Sequence, residues 1–355
     1  MLKTRVNVVR RKVMKSLTGN VGTSYIDTNS KNTTPVIRRV LISRPNHRLG
    51  NLLLITPLVQ EITATFPDCK IDLFVKGGLT PILFKNYQAI DRVITLPKKP
   101  FKELFKYIKV WVSLKRYRYD MVINIDSGSS SGRLSTRYVT AKNKIFGENI
   151  EELDSRYKDY IHMAKKPVYN FRYFLGLLGL KDNDAPVPPL NLKLTDEELS
   201  DGKFVLDKLV TNTKKTIALF TYATGNKCYC EDWWGEYYKS LTEAFPDSNF
   251  IEILPVENIS KIGFKAPSFY SKDVREIGAV IANTALFIGA DSGIMHLAAS
   301  SLTPTLGLFS VTNPEKYAPY GNGSMAINTN EYTVEKTIAA IKEILDNKPF
   351  AAQYA

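Results

Sequence analysis

The chain has 355 residues, enough for two domains of roughly 150 each, and its 44% hydrophobic and 23% charged content is that of a globular protein with a packed core. No run of about 18 apolar residues occurs, which excludes a spanning helix, and the basic N-terminus is not followed by the apolar block and cleavage site of a signal peptide. The net charge of +13 points to an anionic partner: nucleic acid, an acidic lipid surface or a phosphorylated substrate. Three cysteines, Cys69, Cys228 and Cys230, make no disulfide framework, and the C-x-C pair lacks a second pair to complete a zinc tetrahedron. A reduced cytoplasmic protein without a resident metal is the expectation.

Residues 1–20 carry Lys3, Arg5, Arg10, Arg11, Lys12 and Lys15 among Val6, Val8, Val9, Val13, Met14 and Leu17, with no acid. As a helix this is a basic amphipathic segment able to lie peripherally on the inner face of an anionic membrane; otherwise it is a solvated tail. Residues 27–35 are polar and end at Pro35, as a linker does. Short apolar runs then alternate with helical stretches. Strands are expected at Val40–Ser43, Ile71–Val75, Arg92–Leu96 and Met121–Ile125, with helices over Leu52–Phe66 and Lys102–Arg116. A proline-rich stretch, Lys181 to Pro189, reads as a linker. The same grammar follows: strands Ile217–Phe220, Phe250–Leu254, Ala285–Gly289 and Thr305–Phe309, and helices Trp234–Phe245, Lys272–Asn283 and one from about Gly293. Phe66-Pro67-Asp68 and Phe245-Pro246-Asp247 each precede a strand, a hint of two related halves. The expected architecture is α/β: a tail and linker over 1–35, then two Rossmann-like, doubly wound parallel-sheet domains over 36–185 and 190–345 facing a cleft, with ligands at the carboxyl ends of the strands.

The sharpest local signal is Asp291-Ser292-Gly293-Ile294-Met295-His296, between a buried strand and an alanine-rich helix. Asp291 can cap the helix, Gly293 permits close approach to the backbone, and the free N–H groups with the helix dipole suit a diphosphate; His296 lies on the first turn. The alternative is a capped helix with a histidine satisfied in the core. After Ile217–Phe220 come Thr221, Thr224, Gly225, Asn226 and Lys227, whose hydroxyls and ammonium suit a phosphate or make an ordinary surface loop. Glu257, beyond Phe250–Leu254, can accept from ribose hydroxyls. In the first half Arg44, His47 and Arg48 cluster before Gly50-Asn51, and Asp126-Ser127-Gly128 opens a turn before Arg133 and Arg137. Asp126 is a candidate base or sugar-hydroxyl acceptor, or simply a helix cap. No G-x-G-x-x-G follows the first strand and no nucleic-acid-binding motif is present, which disfavours a dinucleotide enzyme and a nucleic-acid partner.

Over residues 38 to 345 these segments resemble glycosyltransferase family 9, the ADP-heptose:lipopolysaccharide heptosyltransferase family. The resemblance rests on Val40-Leu41-Ile42-Ser43-Arg44 with Leu49-Gly50-Asn51-Leu52-Leu53-Leu54-Ile55-Thr56-Pro57-Leu58, on Phe66-Pro67-Asp68, on Lys227 with Trp233, and on Asp291–Ala299 with Pro304, Phe309 and Thr312-Asn313-Pro314. It implies a GT-B fold, inversion at the anomeric carbon without a metal, and a nucleoside-diphosphate sugar as donor, ADP-heptose by the family's habit. The D-[ST]-G-x-x-H turn (Asp291, Ser292, Gly293, His296) and the loop Thr224/Gly225/Lys227, with Glu257, then hold the donor. Arg44, Arg48 and Arg133 fall on the side of a lipid-linked cell-envelope glycan acceptor. The family's base aspartate follows the first-loop glycine; here that position is Asn51, whose amide cannot take a proton. Asp126 and His47 are the candidate replacements. The alternative is a nucleotide-sugar- or glycan-binding protein that has kept the fold and lost catalysis.

Overall fold

A computed structural model describes residues 18, 21–27, 36–99, 102–331 and 333–346. The chain divides into two compact units. The first takes in Met1–His47, Pro57–Pro81 and Tyr87–Pro188, and the second Arg48–Thr56, Ile82–Asn86 and Pro189–Ala355. The proposed basic N-terminal membrane segment and most of the first linker lie outside the described residues.

In the first unit β1 (Arg39–Ser43), β2 (Lys70–Lys76), β3 (Ile90–Leu96), β4 (Arg118–Asn124) and β5 (Thr140–Ile145) form one sheet in the order β3-β2-β1-β4-β5. All pairings are parallel, with Val40 opposite Ile71 on one side and Met121 on the other. β1, β2 and β4 are the apolar runs read from the sequence, buried along most of their length because helices cover both faces of such a sheet. β5 escapes sequence reading: Thr140-Ala141-Lys142-Asn143-Lys144-Ile145 is polar, as an edge strand tolerates. Its outer edge is partly covered by Tyr25, which exchanges backbone hydrogen bonds of 2.8 and 2.7 Å with Lys144.

The single helix expected over Leu52–Phe66 is two, α1 (Leu49–Leu53) and α2 (Thr56–Thr65). Pro57 has no N–H for the Leu53 carbonyl and its ring would crowd it. The Thr56 hydroxyl takes that carbonyl instead, at 2.8 Å. The break falls where the chain passes from the second unit back to the first. Three further helices complete the first unit's main layers: α3 (Leu104–Ser113), α4 (Ser130–Tyr138) and α5 (Lys165–Leu177). From α5, Arg172 reaches Glu61 of α2 with Nε and Nη2 at 2.8 and 2.9 Å and the Ala185 carbonyl at 2.6 Å, anchoring the start of the proline-rich stretch.

The second unit opens with α6 (Asp196–Leu209), started by a capping box in which Thr195 and Glu198 satisfy each other's backbone N–H. Its sheet runs β6 (Lys215–Phe220), β7 (Ser248–Ile253), β8 (Ser268–Phe269), β9 (Leu286–Ala290), β10 (Thr305–Phe309) and β11 (Met325–Asn328) in the order β11-β10-β9-β6-β7-β8, again all parallel. α7 (Glu231–Ala244), α8 (Val274–Ala282) and α9 (Gly293–Ser300) pack on it. α7 begins three residues earlier than the sequence pattern suggests, with Glu231 and Asp232 in its first turn, where the helix dipole favours acids. β8 and β11, two and four residues long, are too short to show a pattern in the sequence.

The five strands of the first sheet and the first five of the second share one order, to which the second adds β11 at its edge, and the repeated motifs occupy the same places in it. Phe-Pro-Asp leads into the second strand of each sheet, β2 and β7, and Asp-Ser-Gly follows the fourth strand of each, β4 and β9. Strand order reverses between β1 and β4 in one unit and between β6 and β9 in the other. In doubly wound sheets it is at such reversals, beyond the carboxyl ends of the strands, that ligands bind. No helix among the described residues is long and apolar enough to cross a membrane.

Candidate functional site

At the switch point of the second unit, β9 delivers Asp291 and β6 delivers the loop Thr221–Lys227. Asp291 is 6% exposed; its backbone N–H is held by the Leu308 carbonyl at 3.0 Å, and its carboxylate accepts from Lys227 Nζ and from the Thr312 hydroxyl. It does not cap the helix, as the sequence suggested it could. Ser292 does, accepting from the Met295 N–H at 3.2 Å. The exchange has a physical consequence. A carboxylate aimed at the helix N-terminus would compete with an anion there, whereas one turned toward Lys227 and Thr312 fixes a cation and a hydroxyl beside it. Replacing Ser292 by alanine is expected to cost about 1 kcal/mol of stability through the lost cap, measured by urea unfolding.

Lys227 closes a short 3-10 turn, Gly225–Lys227, with Thr224 exposed before it. Gly225 has φ +67° and nothing near its missing Cβ, so its glycine serves a left-handed backbone. Gly293 is different: its backbone is not left-handed, and a Cβ there would stand 3.1 Å from Leu49 Cβ and 3.4 Å from the Gly50 N. Packing against α1 is thus a reason for glycine at 293 that the sequence did not reveal. Gly50 answers it, since a Cβ at Gly50 would fall 2.5 Å from His296 Cδ2. Two glycines and the histidine ring thus let α1 lie directly on α9, so the segment that carries Arg48 and Asn51 belongs to the second unit with the Asp291 turn. Asn51 is half-buried in α1; Arg48 is the exposed N-cap residue, with no capping bond from its side chain.

His296 is 5% exposed. Burial pushes its imidazole down to about 4; the Asp291 carboxylate opposes this and the Lys227 ammonium adds to it. At neutral pH the ring is uncharged. The unfolded chain takes up the proton near pH 6.5 and the folded chain refuses it until near pH 4, so stability present above about 6.5 drains as pH falls between those values, by about 1.4 kcal/mol per unit. In His296→Gln this component is absent. The stability difference between the two proteins, followed by urea unfolding from pH 7.5 to 5, should shift against the parent as pH falls; a constant difference would show that the ring titrates normally.

Beneath the loop, Glu252 of β7 is fully buried, with its carboxyl accepting from the Thr221 hydroxyl at 2.6 Å; that hydroxyl accepts from the Lys261 N–H at 3.1 Å. Burial raises the Glu252 pKa above the usual carboxylate range. Sequence reading missed this residue, since a single acid in Phe250-Ile251-Glu252-Ile253 looks like an outward strand position. Glu257 stands exposed in a turn beyond β7.

The first unit repeats the arrangement. At its switch point Arg44, after β1, places Nη1 2.5 Å from Asp126 Oδ2, and the other Asp126 oxygen accepts from the Gly128 N–H at 2.9 Å. Arg44 is 5% exposed in its side chain and Asp126 is 34% exposed, so the carboxylate is the open member of the pair. Ser129, not Asp126, caps α4, accepting from the Gly132 N–H. His47 is exposed in the loop after Arg44. Arg133, expected on the acceptor side, is instead 6% exposed, with Nε on the Thr18 carbonyl at 2.6 Å and Nη2 on the Thr18 hydroxyl at 3.0 Å. Its guanidinium is thus engaged within the first unit. Each unit thus holds a cation–aspartate pair at its strand-order reversal.

Residues 272–343, which run from α8 through the Asp291 turn and Thr312, match the model of glycosyltransferase family 9 (heptosyltransferase). The chain is 24% identical over 300 residues to lipopolysaccharide heptosyltransferase 3 of Escherichia coli, covering 80% of this chain and 87% of that protein. It is 23% identical over 307 residues to the lipopolysaccharide core heptosyltransferase OpsX of Haemophilus influenzae, covering 81% and 84%. Among solved structures, the family 9 glycosyl transferase of Veillonella parvula superposes with a TM-score of 0.68 at 16% identity, over 89% of this chain and 99% of that one. The E. coli heptosyltransferase WaaC with ADP gives 0.63 at 17%, over 86% and 99%. These structural likenesses show the shared fold, two Rossmann-like parallel-sheet units of the GT-B type.

Proposed function

We infer that this chain, a glycosyltransferase belonging to family 9, moves a heptose or related sugar from a nucleoside-diphosphate donor to a lipopolysaccharide or similar cell-envelope glycan. The observation that carries this reading is the group at the second switch point: Lys227 and Thr312 fixed by buried Asp291, beside the N-terminus of α9. A diphosphate placed there meets an ammonium, hydroxyls and backbone N–H groups at once. These groups gain most as the glycosidic bond breaks and charge collects on the leaving diphosphate, so they favour the transition state over the bound donor. In this reading that charge is met by the protein's own groups, and the transfer is inverting: an acceptor hydroxyl attacks the anomeric carbon from the face opposite the diphosphate.

The acceptor hydroxyl must lose its proton as it attacks. Asn51 cannot take it, and we assign that role to Asp126, the open carboxylate of the first unit, oriented by Arg44 and the Gly128 N–H. Arg44 and Arg48 are the remaining candidates for the acceptor's anionic groups. The donor follows the relatives: two solved structures of E. coli WaaC hold ADP and ADP-2-deoxy-2-fluoro heptose. The test is a panel of nucleoside-diphosphate heptoses and hexoses offered with a truncated lipopolysaccharide acceptor, with donor binding followed by calorimetry. Transfer from at least one donor is expected. Absence of both transfer and binding sinks the reading. Donor binding without transfer supports the second reading that Asn51 raises, a nucleotide-sugar-binding protein.

A further inference from the structure

The helix α3 (Leu104–Ser113) carries two apolar faces, and only one is used inside the fold. Tyr107, Val110 and Trp111, continued by Leu114, pack on a cluster that includes Leu41, Phe74 and Leu96; the Trp111 ring stands 5.6 Å from Phe74, edge to face. A helix turns about 100° per residue, so Leu104, Phe105, Ile108 and Val112 form a second stripe beside the first. They are 52%, 90%, 50% and 59% exposed. The remaining arc is basic, with Lys106 and Lys109. Between residues 98 and 118 there are eight cations (Lys98, Lys99, Lys102, Lys106, Lys109, Lys115, Arg116 and Arg118) against one acid, Glu103.

We propose that α3 is a membrane-docking helix. Leu104, Phe105, Ile108 and Val112 enter the outer hydrocarbon of an anionic phospholipid bilayer, and the surrounding lysines and arginines contact its phosphates. Charge decides the occupant. An aromatic and three branched aliphatic side chains have nothing to bind on a nucleic-acid backbone, and a second copy of the chain would bring two sets of like charges together. A bilayer rich in anionic lipid answers both features in one plane, apolar below and phosphate above. The placement also suits a lipid-linked acceptor. The loop from β3 into α3 leaves the carboxyl end of the first sheet, where Arg44 and Asp126 lie. A Cβ at Gly77 would meet Lys98 Cε at 2.7 Å and His47 Cβ at 3.1 Å, so the basic flank of α3 reaches the loop after β1. Docking requires only the folded chain, and it stands whether or not the transfer reaction does.

The test uses the full chain and two vesicle preparations, phosphatidylethanolamine with phosphatidylglycerol at about 3:1, and phosphatidylcholine alone. The parent should co-sediment with the first and far less with the second. Phe105→Glu with Ile108→Glu should weaken binding to the anionic vesicles about tenfold or more, and Lys106→Glu with Lys109→Glu should weaken it and flatten its salt dependence. Because these side chains are exposed, the unfolding midpoint should stay within about 2 °C of the parent in each variant. A Phe105→Trp variant should show a blue-shifted difference spectrum, quenched by brominated lipid. Three results would overturn the proposal: no binding by the parent, parental binding by both helix variants (which places docking elsewhere in the chain), or a dimer in light scattering that the Phe105 variants disperse while vesicles bind nothing.

Discussion

Asp126→Asn should lower the turnover of sugar transfer by about 10²–10⁴-fold, the usual contribution of a general base, and leave the donor Kd within about twofold. Asparagine keeps the shape and the hydrogen bond from the Gly128 N–H but cannot take a proton. It also leaves buried Arg44 facing a neutral group, so a loss of stability is expected alongside, and the two effects must be separated. The separation lies in kinetics. A merely structural role would lower the amount of active protein and leave the pH dependence of the remaining activity unchanged. A base role removes the acid limb of the pH–kcat profile, and Asp126→Glu should recover part of the rate. The companion variant is Asn51→Asp, which puts a carboxylate where the family carries one. If Asp126 is the base, this gain is small. A rise of about tenfold or more in Asn51→Asp, together with normal turnover in Asp126→Asn, would move the proton back to the first-loop position and show a chain that has lost its base.

Lys227→Met should weaken binding of a nucleoside diphosphate about 10- to 100-fold. A hydrogen bond to a charged group contributes about 1.5–3 kcal/mol, and each 1.4 kcal/mol is tenfold in Kd. The loss has a second source, because Asp291, with a 7% exposed side chain, keeps the Thr312 hydroxyl but loses its ammonium partner, and its uncompensated negative charge would repel an anion placed there. Asp291→Asn should therefore reduce binding less, by loosening Lys227 and Thr312 without repelling the phosphate. In the double variant, removing the stranded carboxylate should recover part of the loss, so the two effects fall short of additive. Calorimetric titration of ADP against the four proteins measures the cycle. Unchanged affinity in Lys227→Met would mean that the diphosphate is held elsewhere and would remove the principal support for the donor site.

Much of the fold was legible before any coordinates. Short apolar runs mark β1, β2, β3, β4, β6, β7, β9 and β10, most of them continuous because strands of parallel sheets are buried on both faces, and the alternation with helices gives the α/β class. The strands that did not stand out are those at the sheet margins: polar β5, and β8 and β11, too short for a pattern. The proline at position 57 was visible, yet the break it causes between α1 and α2 depends on the Thr56 hydroxyl meeting the Leu53 carbonyl. The two apolar stripes of α3 are both written in Leu104–Ser113. Which one faces the core is decided by Phe74 and Leu41, residues far away in the chain.

The site shows the same division. Local chemistry determined that a helix begins at Asp-Ser-Gly and that its N-terminus suits an anion, because the turn residues, the preceding strand and the helix are contiguous in sequence. It could not determine which of two adjacent oxygen-bearing side chains caps that helix. That depended on Lys227 and Thr312, 64 and 21 residues from Asp291, which draw the carboxylate away and leave the cap to Ser292. Nor could it show that Gly50 is small because His296 lies on it, or that Arg133 is occupied by Thr18. The sequence by itself determined the class of fold, the strand–turn–helix at Asp291-Ser292-Gly293 and the absence of a carboxylate at position 51. The tertiary structure decided which charges meet and which side chains are left exposed, since pairing and burial depend on distance in space and not on order in the chain.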